Sequence, residues 1–220
     1  MDDIINTYKS WLLILNGKQG SGKSHLISWL MREIYNSKHP FDYGIVFCNT
    51  LFEDSFDYLP KKYLYENFDE DVLKNMMKLQ KDNVKKGVKK RAFVIFDDCL
   101  DDKKQFSNET IRKLTTQLRH YNISVIFSTQ YPHLIPPRVR SNAMYSVFFD
   151  IGAGRRELES TYNCYGNRFS SFHDFKQFYF ENIKDHKFIM YDKNQNKYIV
   201  YRAPEEIPSF KYKYNKKISK

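Results

Sequence analysis

Short apolar runs alternate along the chain with stretches in which apolar residues recur every three or four positions. Five of these runs are short enough to be buried strands. They lie at residues 11–15, 44–48, 92–96, 123–127 and 143–150. Strands that alternate with helices are typical of a parallel sheet with helices packed on both faces. We therefore predict an α/β fold with a mainly parallel sheet sandwiched by helices.

Helical periodicity predicts two helices between residues 69 and 121. The first begins at about Asp69. Its predicted buried face consists of Val72, Met76 and Leu79, with Leu73 and Met77 beside them. The second follows Asn108, a residue type that favours the N-cap position. Its predicted buried stripe is Ile111, Leu114, Leu118 and Tyr121.

The pattern changes towards the end of the sequence. Two helices and then a hairpin are predicted, at residues 156–165, 172–182, 187–191 and 197–202. We assign residues 1–208 to a single domain. Residues 209–220 interleave tyrosines with lysines. We expect them to form a basic, mobile tail, because so high a charge density opposes packing.

The first strand is followed by eight residues that fit the G-x-x-x-x-G-K-[ST] pattern of a phosphate-binding P-loop. They are Gly17, Lys18, Gln19, Gly20, Ser21, Gly22, Lys23 and Ser24. The three glycines permit backbone angles closed to other residues, which lets successive N–H groups turn towards phosphate oxygens. The helix that follows directs its positive dipole end to the same place. We expect these residues to bind a nucleoside triphosphate.

Two side chains of the loop and two that follow the third strand carry the predicted chemistry. Lys23 is expected to reach the β- and γ-phosphates, and the Ser24 hydroxyl to ligate Mg²⁺. The strand at residues 92–96 ends in Asp97 and Asp98. We expect Asp97 to hold Mg²⁺ through its water shell and Asp98 to act as the base towards the attacking water. No Asn-Lys-x-Asp guanine motif follows the core strands, so ATP is favoured over GTP.

The fourth strand, at residues 123–127, is followed by Ser128, Thr129 and Gln130. In sheets where this strand lies between the P-loop strand and the acidic strand, its carboxyl end faces the γ-phosphate, because ligands bind at that edge. Gln130 is then placed to hydrogen-bond the attacking water and to register the γ-phosphate. The structural alternative is a glutamine that simply ends a strand and caps a turn.

Three segments carry a family resemblance: residues 17–24, residues 93–98 (Phe-Val-Ile-Phe-Asp-Asp) and residues 119–130 (Arg-His-Tyr-Asn-Ile-Ser-Val-Ile-Phe-Ser-Thr-Gln). They resemble the FtsK/HerA class of P-loop motors, and within it the genome-packaging ATPases of large double-stranded DNA viruses, poxviruses and their relatives, and of virophages. The resemblance covers roughly residues 8–150.

This resemblance implies a RecA-like core, a ring-shaped homo-oligomer and translocation of double-stranded DNA driven by ATP hydrolysis. It also implies a capsid or portal-type partner and a location in the host cytoplasm, a viral factory or the virion. Arg119 matches the arginine finger that reaches a neighbour's γ-phosphate, with Arg138 and Arg140 as rivals. The chain departs from the wider class at Asp98, where many members carry Glu, so the attacking water would have to lie closer.

Composition adds an expectation about partners. Lys and Arg number 36 against 26 Asp and Glu, a net charge of +10, which favours a polyanionic partner, nucleic acid first. The densest basic stretch in the middle of the chain lies at residues 78–91. It either contacts a phosphate backbone or is an ordinary solvated face.

Three scattered cysteines suit a reducing compartment. No apolar run approaches the roughly 18 residues of a membrane span, so we expect an intracellular protein that does not enter membranes.

Two other functions fit a P-loop chain of this length. A small-molecule kinase needs an acceptor pocket and usually an Arg-rich lid, and the polar end of the fourth strand argues against it. An ATP-driven assembly or export factor of a phage-like system would be expected to carry a membrane span.

Overall fold

The apolar runs assemble into one sheet, because burial between two helix layers removes both of their faces from water. The computed structural model describes residues 1–49, 55–100, 103–152, 154–166, 168–184 and 187–214. In this part of the chain eight strands lie in the order β3-β2-β4-β5-β1-β6-β7-β8. Their bounds are β1 Leu12–Asn16, β2 Tyr43–Cys48, β3 Leu64–Tyr65, β4 Ala92–Asp97, β5 Ile123–Thr129, β6 Tyr145–Phe148, β7 Lys187–Asp192 and β8 Lys197–Arg202.

Strand β5 lies between the P-loop strand β1 and the acidic strand β4, and it runs parallel to both. The register pairs Ser128 with Leu15 on one side and with Asp97 on the other. Strand β2 pairs in parallel with β3 and β4, and β6 pairs in parallel with β1. Strands β7 and β8 form a hairpin that extends the sheet in antiparallel pairing from β6. The carboxyl ends of β1, β4 and β5 therefore meet at one edge of the sheet, in the strand order assumed for Gln130.

Helices cover both faces of the sheet. Their bounds are α1 Asp2–Ile5, α2 Lys23–Tyr35, α3 Glu70–Lys85, α4 Lys103–Phe106, α5 Glu109–Thr116, α6 Leu118–Tyr121, α7 Pro137–Asn142, α8 Arg155–Tyr165 and α9 Phe172–Asn182. Helices α1 and α2 pack on one face, and α3 to α9 pack on the other. None of the described helices combines the length and the hydropathy that a membrane span needs. The predicted α/β sandwich is confirmed.

The start of the second predicted helix is confirmed, but its continuity is not. The Asn108 side chain accepts hydrogen bonds from the backbone N–H groups of Thr110 and Ile111 at 2.8 and 3.3 Å, as an N-cap does. All four residues of the predicted stripe are buried. The helix nevertheless breaks at Gln117 into α5 and α6. Thr115 and Thr116 donate their hydroxyls to carbonyls one turn back, a habit that weakens and bends helices.

Helix α3 is rotated relative to its predicted face. Leu73, Met76 and Met77 are buried, whereas Leu79 is 40% exposed. The residue that takes the place of Leu79 is Gln80, which is fully buried. Its amide accepts the Tyr43 hydroxyl at 2.6 Å and donates to the carbonyls of Lys90 and Asn122 at 3.1 and 3.0 Å. A satisfied polar side chain therefore occupies the core, and hydrophobic periodicity counts such a residue as exposed.

Two members of the basic stretch serve the fold and not the surface. Arg91 is 3% exposed, and its guanidinium lies 4.7 Å from the centre of the Phe41 ring. Lys90 donates to the Asp42 carboxylate at 2.6 Å. The expectation of a continuous solvated or DNA-binding stretch is therefore wrong for these two residues, because the loop before β4 turns their side chains inwards.

The expected mobile tail is packed through Tyr214. Tyr212 is 3% exposed, and its backbone N–H donates to the Tyr58 carbonyl at 2.7 Å. Its hydroxyl accepts the Phe41 N–H at 3.0 Å. Phe210 stacks on Tyr58 with ring centres 4.6 Å apart. The expectation is therefore wrong for residues 209–214, since alternate aromatic side chains bury themselves while the lysines between them stay outside; residues 215–220 lie outside the described part of the chain.

The buried tyrosine of this segment gives a test of its role in stability. Tyr212→Ala should lower the free energy of unfolding by about 3 kcal/mol, because it removes a buried aromatic ring and leaves a cavity. The neighbouring exposed Lys213→Ala should change it by less than about 0.5 kcal/mol. Urea titrations followed by circular dichroism measure both. Equal, small effects would show that residues 209–214 do not contribute to the folded core.

Candidate nucleotide site

The P-loop connects β1 to α2 at the carboxyl edge of the sheet. Gly20 and Gly22 adopt φ of 70° and 99°, a left-handed backbone that other residues rarely adopt. Gly17 has a different requirement. A Cβ at this position would lie 2.4 Å from Ser21 Oγ and 2.7 Å from Phe149 Cβ. Only two of the three glycines thus serve the backbone angles predicted for them, and the third allows the loop to close on itself.

Lys23 is held beneath the loop and is only 6% exposed. Its Nζ donates to the carbonyls of Gly17 and Lys18 at 2.8 and 3.1 Å. It also lies 3.6 Å from Asp98 Oδ2. The ammonium group is therefore preorganised at the centre of the loop, facing the carboxylate that follows β4.

Ser24 and Asp97 form the second contact between loop and sheet. Ser24 Oγ donates to Asp97 Oδ2 at 3.1 Å, and Asp97 is 5% exposed. A hydroxyl and a carboxylate are hard oxygen ligands of the kind that Mg²⁺ takes. Proteins commonly hold Mg²⁺ with one or two such groups, and phosphate and water oxygens complete its shell. The pair fits the predicted magnesium site.

Asp98 and Gln130 lie together beside Lys23. Asp98 adopts φ of 44°, and its backbone N–H donates to the Ser128 carbonyl at 3.1 Å, so the chain turns sharply where β4 ends. Gln130 Nε2 lies 3.4 Å from Asp98 Oδ2. Burial raises the pKa of Asp98, Lys23 opposes the rise, and Asp97 adds to it. A carboxylate whose pKa is raised is a better proton acceptor, which suits the predicted base.

The remaining predicted loop residues have separate surroundings. Lys18 Nζ pairs with Asp150 Oδ2 at 2.5 Å, and the Lys18 N–H donates to the Asp150 carbonyl at 2.9 Å. Gln19 is exposed at the tip of the loop. The Ser21 hydroxyl is buried and makes no hydrogen bond to the described residues. The two contacts between Lys18 and Asp150 anchor the loop to the segment that follows β6.

A family model described as Poxvirus A32 protein matches residues 5–163. The chain belongs to this family. Protein 075L of Invertebrate iridescent virus 6 is 29% identical to this A32-family chain over 180 residues, which cover 80% of the chain and 68% of that relative. The predicted resemblance to the poxvirus type is confirmed.

Solved structures show the same fold. B204, the DNA-packaging ATPase from Sulfolobus Turreted Icosahedral Virus, matches with a TM-score of 0.69 at 20% identity, over 90% of this chain and 100% of B204. The genome packaging NTPase B204 from Sulfolobus turreted icosahedral virus 2, in complex with AMPPCP, matches with a TM-score of 0.65 at 21% identity, over 87% and 97%. At this identity the likeness establishes the shared architecture of the A32-family chain.

The predicted arginine finger lies at the other edge of the sheet. Arg119 is exposed on α6, which precedes the amino end of β5. It lines a cavity of about 370 Å³ with Trp11 and Tyr145, at the amino ends of β1 and β6. One five-residue strand spans about 16 Å, so the structure does not bring Arg119 to the P-loop of its own A32-family subunit. A finger at this position can act only on another subunit.

The two rival arginines lie on α7, at the carboxyl side of β5. The Arg140 guanidinium donates to the Ile135 carbonyl, which ties it to the preceding loop. Arg138 is exposed. Neither lines the described cavities that border the P-loop.

One further polar group lies under the site and was not assigned a role from the sequence. The Ser128 hydroxyl is buried, and it makes no hydrogen bond to the described residues. Its register with Asp97 places both side chains on the face of the sheet that packs against α2. The signal for this residue was the polar end of β5. Strand alternation within β5 places Ser128 on one face and Thr129 on the other, while Gln130 follows the end of the strand.

Asp98 gives a pH-dependent test of this electrostatic arrangement. Burial raises its pKa in the folded chain, so ionising it costs stability as pH rises through the carboxyl range. Asp98→Asn should therefore raise the melting temperature at pH 7, and the gain should disappear near about pH 3, where the unfolded carboxyl is also protonated.

The measurement is a series of thermal melts from acidic to neutral pH. The exposed Asp82→Asn serves as the matched control and should show no such trend. An Asp98→Asn protein that is less stable than the parent at pH 7 would mean that attraction to Lys23 outweighs burial.

Proposed function

We propose that this chain is an ATP-hydrolysing motor that moves double-stranded DNA into a viral capsid. The observation that carries the proposal is the convergence of five side chains at the carboxyl edge of the sheet: Lys23, Ser24, Asp97, Asp98 and Gln130. Membership of the A32 family supports it. The shared architecture with the DNA-packaging ATPase B204 supports it further.

The P-loop and Lys23 bind the triphosphate. Backbone N–H groups of residues 20–22 and the amino end of α2 supply partial positive charge without a side chain. The Lys23 ammonium, already aimed at the loop centre by two carbonyls, adds a full charge where negative charge accumulates as the phosphoryl group transfers. Ser24 and Asp97 would hold Mg²⁺, which when bound neutralises phosphate charge.

Asp98 and Gln130 act on the attacking water. Asp98 accepts a proton as the water oxygen bonds to the γ-phosphorus and the bond to the bridging oxygen of ADP breaks. Gln130 orients the attacking water and the Asp98 carboxylate, since its amide already contacts Asp98. Asp98 adopts a left-handed backbone, and its short side chain still reaches within 3.6 Å of Lys23 Nζ. The cost of this backbone conformation is consistent with a functional position.

The position of Arg119 favours a ring. An arginine at the amino edge of one subunit would complete the site at the carboxyl edge of a neighbour, where a guanidinium stabilises the charge on the transferred phosphoryl oxygens. We therefore assign Arg119, and not Arg138 or Arg140, as the finger in trans. A capsid or portal-type protein would hold the ring in place.

Exposed lysines provide the sequence-independent contact with duplex DNA. Lys78, Lys81, Lys85, Lys86 and Lys89 are exposed on and after α3. Such groups bind the phosphate backbone through release of counterions. Packaging would take place in the host cytoplasm or a viral factory, and the motor could remain with the virion.

Duplex DNA gives the direct test of this function. ATP hydrolysis by the full chain should rise on addition of duplex DNA, and the rise should weaken as salt increases. Lys23→Ala should lower turnover by about 10²–10³-fold, because it removes a preorganised charge at the reacting group. Phosphate release measures both quantities. Hydrolysis that duplex DNA does not alter would argue against a DNA motor and leave a plain ATPase.

Mixed rings test the assignment of Arg119. Arg119→Ala should bind ATP normally and lose hydrolysis by about 10³-fold, as arginine fingers do. Lys23→Ala subunits are inactive for a different reason. In mixed rings some interfaces pair an intact P-loop with an intact Arg119, so part of the activity should return. Arg138→Ala is the matched control and should retain activity alone. Mixed rings that stay inactive would show that Arg119 does not complete the site of a neighbouring subunit.

A further inference from the structure

A cavity of about 330 Å³ opens directly beside the P-loop. Residues 20–22 of the loop form one wall, and His25 and Phe149 form the next. Residues 203–205, which follow strand β8, complete the lining. Its volume lies in the range of small-molecule pockets, about 300–1,000 Å³. The cavity is thus continuous with the phosphate loop but is built partly from a segment far along the chain.

Segment 203–205 is held against the P-loop helix by a defined contact. His25 Nε2 donates to the Pro204 carbonyl at 2.7 Å. Farther on, the Lys211 ammonium donates to the Asp57 carbonyl at 2.6 Å, and Tyr212 is buried. The segment therefore crosses the start of α2 and is anchored beyond it, so its position relative to the loop is set by the fold.

The cavity lies at the end of the phosphate loop away from the reaction centre. Lys23, Asp98 and Gln130 identify the γ-phosphate end, and none of them lines the cavity. A nucleoside triphosphate is an extended molecule with its γ-phosphate at one end and its base at the other. A triphosphate bound with its γ-phosphate at Asp98 therefore directs its nucleoside away from that end of the loop.

The side chains of the cavity match the chemistry of a nucleoside. Phe149, the Pro204 ring and the His25 imidazole are flat or apolar surfaces that pack against a base. Glu205 is the carboxylate among the lining residues. It is 82% exposed and pairs with Arg202 at 3.3 Å, so it can turn towards a ligand at little cost. A carboxylate accepts hydrogen bonds from the N–H and O–H groups of a base or a ribose.

We propose that this cavity is the nucleoside subsite, in which Pro204 and His25 contact the base and Glu205 accepts a hydrogen bond from the nucleoside. The inference rests on the proposed function, because it takes the P-loop to bind a nucleoside triphosphate. It also assigns specificity to a segment outside residues 5–163, the part of the chain that the family model matches.

A second cavity makes the test discriminating. It measures about 440 Å³ on the other side of the His25 contact, where Ser24, Asp57 and Tyr58 meet residues 207–211. Asp57 is the carboxylate among its lining residues, as Glu205 is in the first cavity. Glu206 lines neither cavity and is exposed. Substitution of Glu205 therefore tests the first cavity and substitution of Asp57 tests the second. Glu206 serves as the control for a carboxylate that lines neither cavity.

The experiment compares ATP with inorganic tripolyphosphate, which has the phosphates and no nucleoside. Calorimetric titration of the full chain gives the dissociation constant of each. Glu205→Gln should weaken ATP about fivefold, because a neutral amide oxygen replaces a charged acceptor in the same hydrogen bond, and leave tripolyphosphate unchanged. His25→Ala should weaken ATP more, again without an effect on tripolyphosphate. Glu206→Gln and Asp57→Asn should change neither affinity.

Each contrary result identifies a different error. A selective loss of ATP affinity in Asp57→Asn, with Glu205→Gln unaffected, would move the nucleoside to the second cavity. Equal losses for ATP and tripolyphosphate would show that the side chains act on phosphate alone, and the subsite would be wrong. A parent protein that binds ATP but is insensitive to His25 and Glu205 overturns the subsite only. A parent that binds neither ligand overturns the proposed function as well.

Discussion

The parallel pairing of β5 with β1 on one side and β4 on the other is the constraint on which the site depends. It brings the P-loop, the two aspartates and Gln130 to one edge, although they are far apart in the sequence. The backbone hydrogen bonds of three strands fix this edge, so the side chains need little further support. The same pairing sends Arg119 to the opposite edge, because it precedes β5. The strand pairing thus places the residues that act within one subunit at one edge of the sheet. It places Arg119, which could act only on another subunit, at the opposite edge.

The site brings charges of both signs together in a partly buried space, where Lys23 and Asp97 are almost fully covered and Asp98 is one-third exposed. Burial raises the cost of ionising Asp98, and repulsion by the Asp97 carboxylate adds to it. Lys23 offsets part of this cost at 3.6 Å. The left-handed backbone at Asp98 adds strain. The free chain therefore holds a site that is less stable than an apolar core would be, as is common where activity needs polar groups in fixed positions.

Much of the fold could be predicted because its strands are apolar on both faces and its helices are periodic. The motif residues were also predictable, since glycine, lysine and serine at fixed spacing leave few alternatives. The residues whose burial was predicted wrongly have one cause in common. Gln80, Arg91 and Tyr212 are polar or lie among lysines, yet each is buried by partners distant in sequence. Local pattern contains no information about those partners, so it counted all three as surface. Ser128 escaped assignment for the same reason, because its relation to Asp97 exists only once the strands have paired.

The packing of residues 210–214 against Tyr35 at the end of α2, against Phe41 and against Phe93 of β4 has a consequence for the order in which the molecule is made. The hydrogen bond between Phe41 and Tyr212 joins positions 171 residues apart. Contacts of such long sequence separation form late and slow the folding of a domain. During synthesis the P-loop emerges early, but the segment that covers Tyr35 and Phe41 arrives only when almost all of the described chain has left the ribosome. A nascent chain therefore carries the nucleotide motif for most of its synthesis with the apolar surface around Tyr35 and Phe41 uncovered, and that interval is when it is most exposed to chaperones, proteases and aggregation.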